Sequence, residues 1–377
     1  MREGWTYKKL GEVCESDLGK TLNSSKDTGE TRPYLCAINI LWDKIDFTTL
    51  KQTKFEESEL ERYIVRKGDL LICEGGEIGR AAIWDKDYSI QYQNALHRVR
   101  FTDSVAPRFC LYYIMHLKKS GILDGRYGKG VTIKHLVKSS LMSIPIPVAP
   151  IDNQLSIVAE LDKINELISL KKAQLSDLDA LAQSIFYDMF GDPIENEKGW
   201  EVKKLSDVSI LLNGRAYKQN ELLSEGKYKV LRVGNFFTNS NYYYSNLELE
   251  DDKYCDFGDL LFAWSASFGA FVWSGEKVIY HYHIWKVLYD KSYLNKLYYC
   301  YLLNTMTNSF MNDLHGIGMM HLTKVGMEQY QLPLPPLSLQ QDFAKKIELI
   351  EQQKAQISST IKDLETLLAS RMQYWFD

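Results

Sequence analysis

Twice in this chain a proline-dense run gives way abruptly to a long apolar heptad, and that repeated switch limits what the chain can fold into. In Ile144-Pro145-Ile146-Pro147-Val148-Ala149-Pro150, three rings fix φ and remove N–H donors, so the backbone is held extended. Beyond Pro150, Ile157, Leu161, Ile164, Ile168, Leu175, Leu178, Ala182, Ile185 and Met189 recur at alternating steps of three and four, with Lys171 in the one interrupted place. No Gly or Pro occurs from Ile151 to Phe190, and Gly191-Asp192-Pro193 then ends the pattern. The second passage runs from Leu332-Pro333-Leu334-Pro335-Pro336 into Phe343, Ile347, Ile350, Ile357, Ile361, Leu364, Leu368 and Trp375, with Lys354 and Arg371 in the remaining seam positions. Ser338 and Gln341 have the spacing of a capping box.

The stretches before each switch repeat one another as well. Gly4-Trp5 and Gly199-Trp200 open the halves, and Gly19-Lys20 answers Gly214-Arg215. A strand-like run ends at Asn39 in one half and at Asn235 in the other. Gly68-Asp69-Leu70-Leu71 matches Gly258-Asp259-Leu260-Leu261, and Tyr92 through Val99 matches Tyr280 through Val287. A helix marked by Leu111-Tyr112-Tyr113 or Leu297-Tyr298-Tyr299 precedes a glycine loop, Gly128-Lys129-Gly130 or Gly316-Ile317-Gly318. Unbroken order makes this a tandem duplication of an α+β domain. The boundaries fall at 1–150, 151–190, 191–336 and 337–377: domain, helical spacer, domain, helical spacer. If the seams bury each other, the two helices pair as an antiparallel coiled coil. Each is a rod of roughly 50–60 Å, and the two bodies are related by a pseudo-twofold axis.

Charge is uneven. The overall formal charge is −4, yet residues 1–150 carry 23 Lys and Arg against 19 Asp and Glu, whereas residues 151–198 carry 4 against 10. A basic first body and an acidic spacer make any affinity for nucleic acid local. The six cysteines are scattered, without metal-ligand spacing, which fits buried thiols in a reducing cytoplasm. Signal-peptide and membrane-span patterns are lacking.

Catalytic patterns find no support. The one Pro-Pro, in Leu334-Pro335-Pro336-Leu337, offers no amine acceptor, and Gly75-Gly76-Glu77-Ile78-Gly79 has the spacing of a strand-linking turn, not of a cofactor loop. Asp192-Pro193 with Glu201-Val202-Lys203 straddles a domain start. His281 and His283 alternate on a strand and so share a face, but with no third ligand evident they predict no metal site.

The Gly-Trp openings, the Gly-Asp-Leu-Leu pairs, the proline runs ending at Pro150 and Leu337, and the helix starts at Gln154 and Gln340 together resemble the specificity subunits of type I restriction–modification systems, over essentially the whole chain. The resemblance implies a non-catalytic subunit without a cofactor of its own. Two target-recognition domains would each read one half of a split asymmetric site in double-stranded DNA, with the helices setting the gap. Two modification (methyltransferase) subunits, holding S-adenosylmethionine and methylating adenine, would dock on the helices, and restriction (endonuclease) subunits would join them. A self-assembling DNA-binding scaffold and a fused enzyme are the competing readings.

Candidate DNA contacts follow from residue type and place. Lys20 and Arg215 occupy equivalent glycine turns, from which a cation can reach a phosphate or a guanine edge. Lys129, Lys134 and His135 surround the glycine loop, with His321 and Lys324 as counterparts. Gln93 can read adenine, Asn241 and Tyr243 offer an amide and a phenol, and His283 faces the groove. Arg32 and Arg80 in the first half and Lys218 in the second complete the set. For each the plainer alternative is a solvated turn charge or a strand polar residue. Arg232 stands where the first half has Cys36, so no shared role is expected of it.

Overall fold

The computed structural model describes residues 4–23, 27–237, 241–265, 267–312 and 322–377. The chain forms two compact units, 1–172 with 359–377, and 173–358. Each unit is described by itself, and each repeats the same frame.

In the first unit, strand Thr6–Lys9 pairs antiparallel with Pro145–Val148, Thr6 opposite Val148, so the Gly-Trp opening and the proline run close the domain on itself. The prolines cost little there, because a two-stranded ladder leaves one edge of each strand unpaired. One four-stranded sheet is ordered Cys14–Leu18, Leu96–Phe101, Leu70–Cys73, Ala81–Ile83, all antiparallel. The other is ordered Lys51–Phe55, Glu30–Leu35, Ile90–Tyr92, Ile64–Val65, with Gln91 parallel to Tyr34. The core between them gathers Leu35, Leu71, Trp84, Tyr92 and Leu96.

The second unit keeps that order strand for strand. Glu201–Lys204 pairs with Gln331–Leu334. One sheet runs Ser209–Asn213, Ile284–Tyr289, Leu260–Ser265, Ser267–Val272, and the other Tyr243–Ser245, Tyr228–Leu231, Val278–Tyr280, Tyr254–Cys255. The Gly-Asp-Leu-Leu motif does the same work twice. Asp69 accepts the Arg66 N–H and holds Arg100 through two bonds of 2.7 and 2.6 Å. Asp259 accepts the Asp256 N–H at 2.8 Å and pairs with Lys286 at 2.7 Å. The strand-like runs expected to end at Asn39 and Asn235 stop earlier, at Leu35 and Leu231. Both asparagines instead turn their amide oxygens back on a main-chain N–H, that of Cys36 (3.0 Å) and of Arg232 (2.9 Å), and stand third in the short helical turns Ala37–Asn39 and Val233–Phe237.

The long helices are Ile151–Phe190 and Leu337–Phe376. The second starts before Ser338, so the capping box gives way to a different device. Gln154 and Gln340, both wholly buried, each make three bonds. The Gln154 amide accepts from Ala106 N (2.9 Å) and donates to the carbonyls of Ser104 and Ala149 (2.8 Å each). Gln340 accepts from Asn295 N and donates to the carbonyls of Tyr293 and Pro335, all at 2.8 Å.

Within each unit the helix segments run antiparallel. In the first, Glu160 pairs with Arg371 and Lys172 with Glu365 (2.9 Å); in the second, Asp179 pairs with Lys354 (2.7 Å) and Phe190 packs on Phe343. Ile157, Leu161, Ile164, Ile168, Leu178, Phe343, Ile347, Ile350, Ile357, Ile361 and Leu368 are buried, while Leu175, Ile185 and Leu364 are half-buried. Phe186, Phe190, Met372 and Phe376, outside the heptad reading, are buried because at those levels the helix meets the domain: Phe186 and Phe190 on Tyr298, Phe376 on Phe109 and Tyr113. Among the described residues no helix is long and apolar enough to cross a membrane.

Candidate nucleic-acid interface

In both units the link between the two sheets is a glycine turn lying on the exit of a neighbouring strand. Lys20 bridges Gln93 and Arg215 bridges His281. A Cβ on Gly19 would stand 2.3 Å from the Tyr92 carbonyl oxygen, and one on Gly214 2.4 Å from that of Tyr280, so only glycine lets the strands meet.

The two turn cations do not reach outward as their position suggested. Lys20 is 4% exposed, and its ammonium lies 2.6 Å from Glu59, 3.3 Å from Asp27 and 2.8 Å from the Lys54 carbonyl. A DNA phosphate cannot compete with two carboxylates in a buried site, so Lys20 is a structural cation. Arg215 spends both Nη groups on Glu221 (2.9 and 2.8 Å) and lies over the Tyr217 ring. That guanidinium, with the Lys218 N–H, holds Glu221 down to about 2.

Other candidates of the first unit divide in the same way. Arg80 is drawn inward, donating to the Ala37 carbonyl at 2.7 Å beside Glu77, which corrects its assignment as an outward contact. Lys134 folds back on its own loop, donating to the Asp124 carbonyl at 2.6 Å. Gln93 is half-buried, and its main-chain N–H is taken by the Leu35 carbonyl at 2.9 Å. Arg32 lies exposed on its strand, paired with Glu30. Lys129 and His135 are exposed, and their backbones clasp each other at 2.8 and 2.7 Å.

The second unit gathers more. His281-Tyr282-His283 forms the turn leaving Val278–Tyr280, not a strand with alternating faces, and the two imidazoles lie 4.8 Å apart. Burial, then His283 and Arg232, push the His281 pKa down to about 4. No group of three metal-binding side chains exists among the described residues. On one side of this turn a cleft of about 430 Å³ is lined by Trp264, Tyr282, His283, Trp285, Thr323 and Lys324. Trp264 stacks on the buried Trp285 (5.4 Å, 18°) and donates its indole N–H to the Tyr282 carbonyl. A second cleft, of about 740 Å³, is lined by Leu223, Arg232, Asn241 and Tyr242 to Tyr244, with the Arg232 guanidinium over the Tyr243 ring at 5.1 Å. The structure thus brings His283 and Lys324 together in one cleft and Asn241 and Tyr243 in another. Lys218 is exposed but lines neither cleft. His321 lies outside the described residues.

Cations beside exposed aromatic faces and amides suit a polyanion with planar bases. Sequence reasoning missed Trp264 and Tyr282 and set Arg232 aside; three consecutive ring residues at 281–283 were the available signal. Hydrogen-bond equivalence also shows how the faces differ. Cys36 and Arg232 share the asparagine-capped position. Glu74 and Trp264 share another: each donates its N–H to the strand-exit carbonyl (Ala95, 3.0 Å; His283, 3.1 Å) and accepts from Leu136 or Leu322.

One frame used twice, with unlike side chains at equivalent positions, defines a duplicated recognition protein. The chain belongs to the family described as the type I restriction modification DNA specificity domain, which matches residues 2–180 and 197–366. It is 22% identical over 406 residues to the type I restriction enzyme MjaVIII specificity subunit of Methanocaldococcus jannaschii, covering 97% of this chain and 92% of that protein. It is 23% identical over 170 residues to the EcoBI specificity subunit of Escherichia coli, covering 45% and 35%. Two solved structures share the fold. One, from a study of complex assembly and conformational transition of the type I R-M system, has TM-score 0.64, 18% identity and coverage of 100% and 98%. The other, the S subunit from M. genitalium, has TM-score 0.55, 13% identity and coverage of 99% and 96%. Family membership makes the chain a non-catalytic DNA-specificity subunit of a type I system.

Proposed function

We propose that each unit reads one part of a bipartite, asymmetric duplex DNA target, and that the chain docks two methyltransferase subunits, to which restriction subunits add. S-adenosylmethionine is held by the methyltransferases, not by this chain, and the assembly works in the cytoplasm. The observation that carries this reading is the contrast at equivalent corners: Arg232 against Cys36, Trp264 against Glu74, Tyr282 against Asn94. The exposed Arg232 over a phenol and the stacked Trp264 indole offer base edges something that the buried Cys36 and the half-buried Glu74 and Asn94 do not. Two unlike faces on one frame call for two unlike half-sites.

Methylation mapping of the host genome, with and without this chain, tests it. The expected result is adenine methylation within a two-part motif whose halves differ, abolished on deletion, with a methyltransferase co-purifying with the chain. Unchanged methylation, or a continuous palindromic motif, would refute it.

A further inference from the structure

We infer that the glycine loop of the first unit is an aliphatic wedge that enters bound duplex DNA from the minor groove and kinks it at one base step, an inference that rests on the DNA-reading function above. The loop is built to be stiff. Lys129 and His135 exchange backbone hydrogen bonds at its base (2.8 and 2.7 Å), and Gly130 turns through φ +108°, where a Cβ would stand 2.2 Å from the Ile133 carbonyl oxygen. Its exit is fixed by the Leu136 N–H on the Glu74 carbonyl (2.7 Å) and by the buried His97 ring on the Leu136 carbonyl (2.6 Å). The Lys134 ammonium ties one flank to the Asp124 carbonyl.

What this loop holds out is apolar. Val131 is 100% exposed and Ile133 64%. Two β-branched side chains with restricted χ1 make a blunt, rigid tip, and presenting them to water forgoes burial that a shorter turn would not need to forgo. The flanking chain is basic: Arg126 and Lys129 are exposed before the tip, and the His135 imidazole is exposed after it. The nearby acids are engaged or set back. Glu77 accepts from Trp42 (2.7 Å) beside Arg80, Asp124 pairs with Lys118 (2.9 Å), and Glu74 is half-buried. An aliphatic tip preceded by two exposed cations matches a base step flanked by phosphates, since proteins that bend DNA through the minor groove insert apolar side chains between bases while cations hold the backbone. An apolar protein surface would gain nothing from the cations.

The test uses the full-length protein with whatever subunits co-purify with it. A duplex recovered from a random pool by binding is labelled at both ends, and affinity and end-to-end energy transfer are measured. Wild-type protein should raise the transfer. V131S/I133S, whose changes fall on exposed side chains, should bind about tenfold more weakly with most of the rise gone and the salt dependence unchanged. Lys129→Ala should do the reverse, keeping the bend while the log–log salt slope shrinks by about one. If V131S/I133S binds and bends DNA like wild type, or loses only a co-purifying protein, the wedge is wrong and the DNA-reading function stands. If no duplex is enriched, both fall.

Discussion

Burial decides which ring nitrogens can take a proton, and it does so differently from the exposed positions around them. His97 is wholly buried, and desolvation holds its pKa below the usual imidazole value even though Nε2 has the Leu136 carbonyl as partner. His281 is held down to about 4 by burial, then by His283 and Arg232. In the unfolded chain both titrate near 6.5. Below that pH the unfolded state binds protons that the folded state refuses, so stability present above about 6.5 is lost as pH falls toward the folded values. The unfolding free energy from urea titration should therefore drop between pH 7 and pH 5, by at most about 1.4 kcal/mol per pH unit for each histidine. His281, being partly open to water, should contribute the smaller share. H97Q/H281Q should flatten the profile; an unaltered slope would place the acid sensitivity in the carboxylates. Nothing in the sequence distinguished His97 from the exposed His135, because the difference is made by strands paired across the sheet.

At the scale of elements, the chain's pattern was most legible where the period is local. Both long helices and the extended proline runs follow from spacing alone. Three features were not legible. The seam's aromatic ends, Phe186, Phe190 and Phe376, are set by the domain each helix abuts, not by the heptad. Lys354, a seam interruption, is answered by Asp179 across the pair and by Glu351 one turn earlier. Lys20 and Arg215 looked outward because a glycine turn is a surface feature, yet their partners Glu59 and Glu221 come from segments whose approach only the fold determines. Gln154 and Gln340 were noticed as matching helix starts, but their geometry explains why an amide is needed: each satisfies two carbonyls and one N–H in a dry junction. Gln154→Leu or Gln340→Leu keeps the volume and strands three polar groups. Each should cost about 2–4 kcal/mol in chemical denaturation, with similar losses at the two junctions. A loss under about 1 kcal/mol at either would mean that water replaces the amide there.

For the whole molecule, duplication separates what must be shared from what is free to differ. The residues that reproduce the frame are the same or alike in both halves: the glycine turns, the Asp69 and Asp259 ion pairs, the asparagine caps and the buried glutamines. The residues that differ, Cys36 and Arg232, Glu74 and Trp264, Asn94 and Tyr282, share main-chain positions but not burial: Arg232 and Tyr282 are exposed, Glu74, Asn94 and Trp264 half-buried, and Cys36 buried. Each sheet pair is closed by a strand from its own half, Thr6–Lys9 on Pro145–Val148 and Glu201–Lys204 on Gln331–Leu334. A domain closed on itself can be exchanged without rebuilding the other. Replacing residues 1–150 with the corresponding domain of a relative should change one part of the methylated motif and leave the other part intact. The replacement must keep a proline-run exit and the partners of Gln154, since the Ser104, Ala106 and Ala149 backbones hold the helix start. Genome-wide methylation mapping of the exchange strain reads the outcome directly. A change in both parts of the motif would mean that the halves read jointly, and the contrast between their faces would then have to be explained by something other than two half-sites.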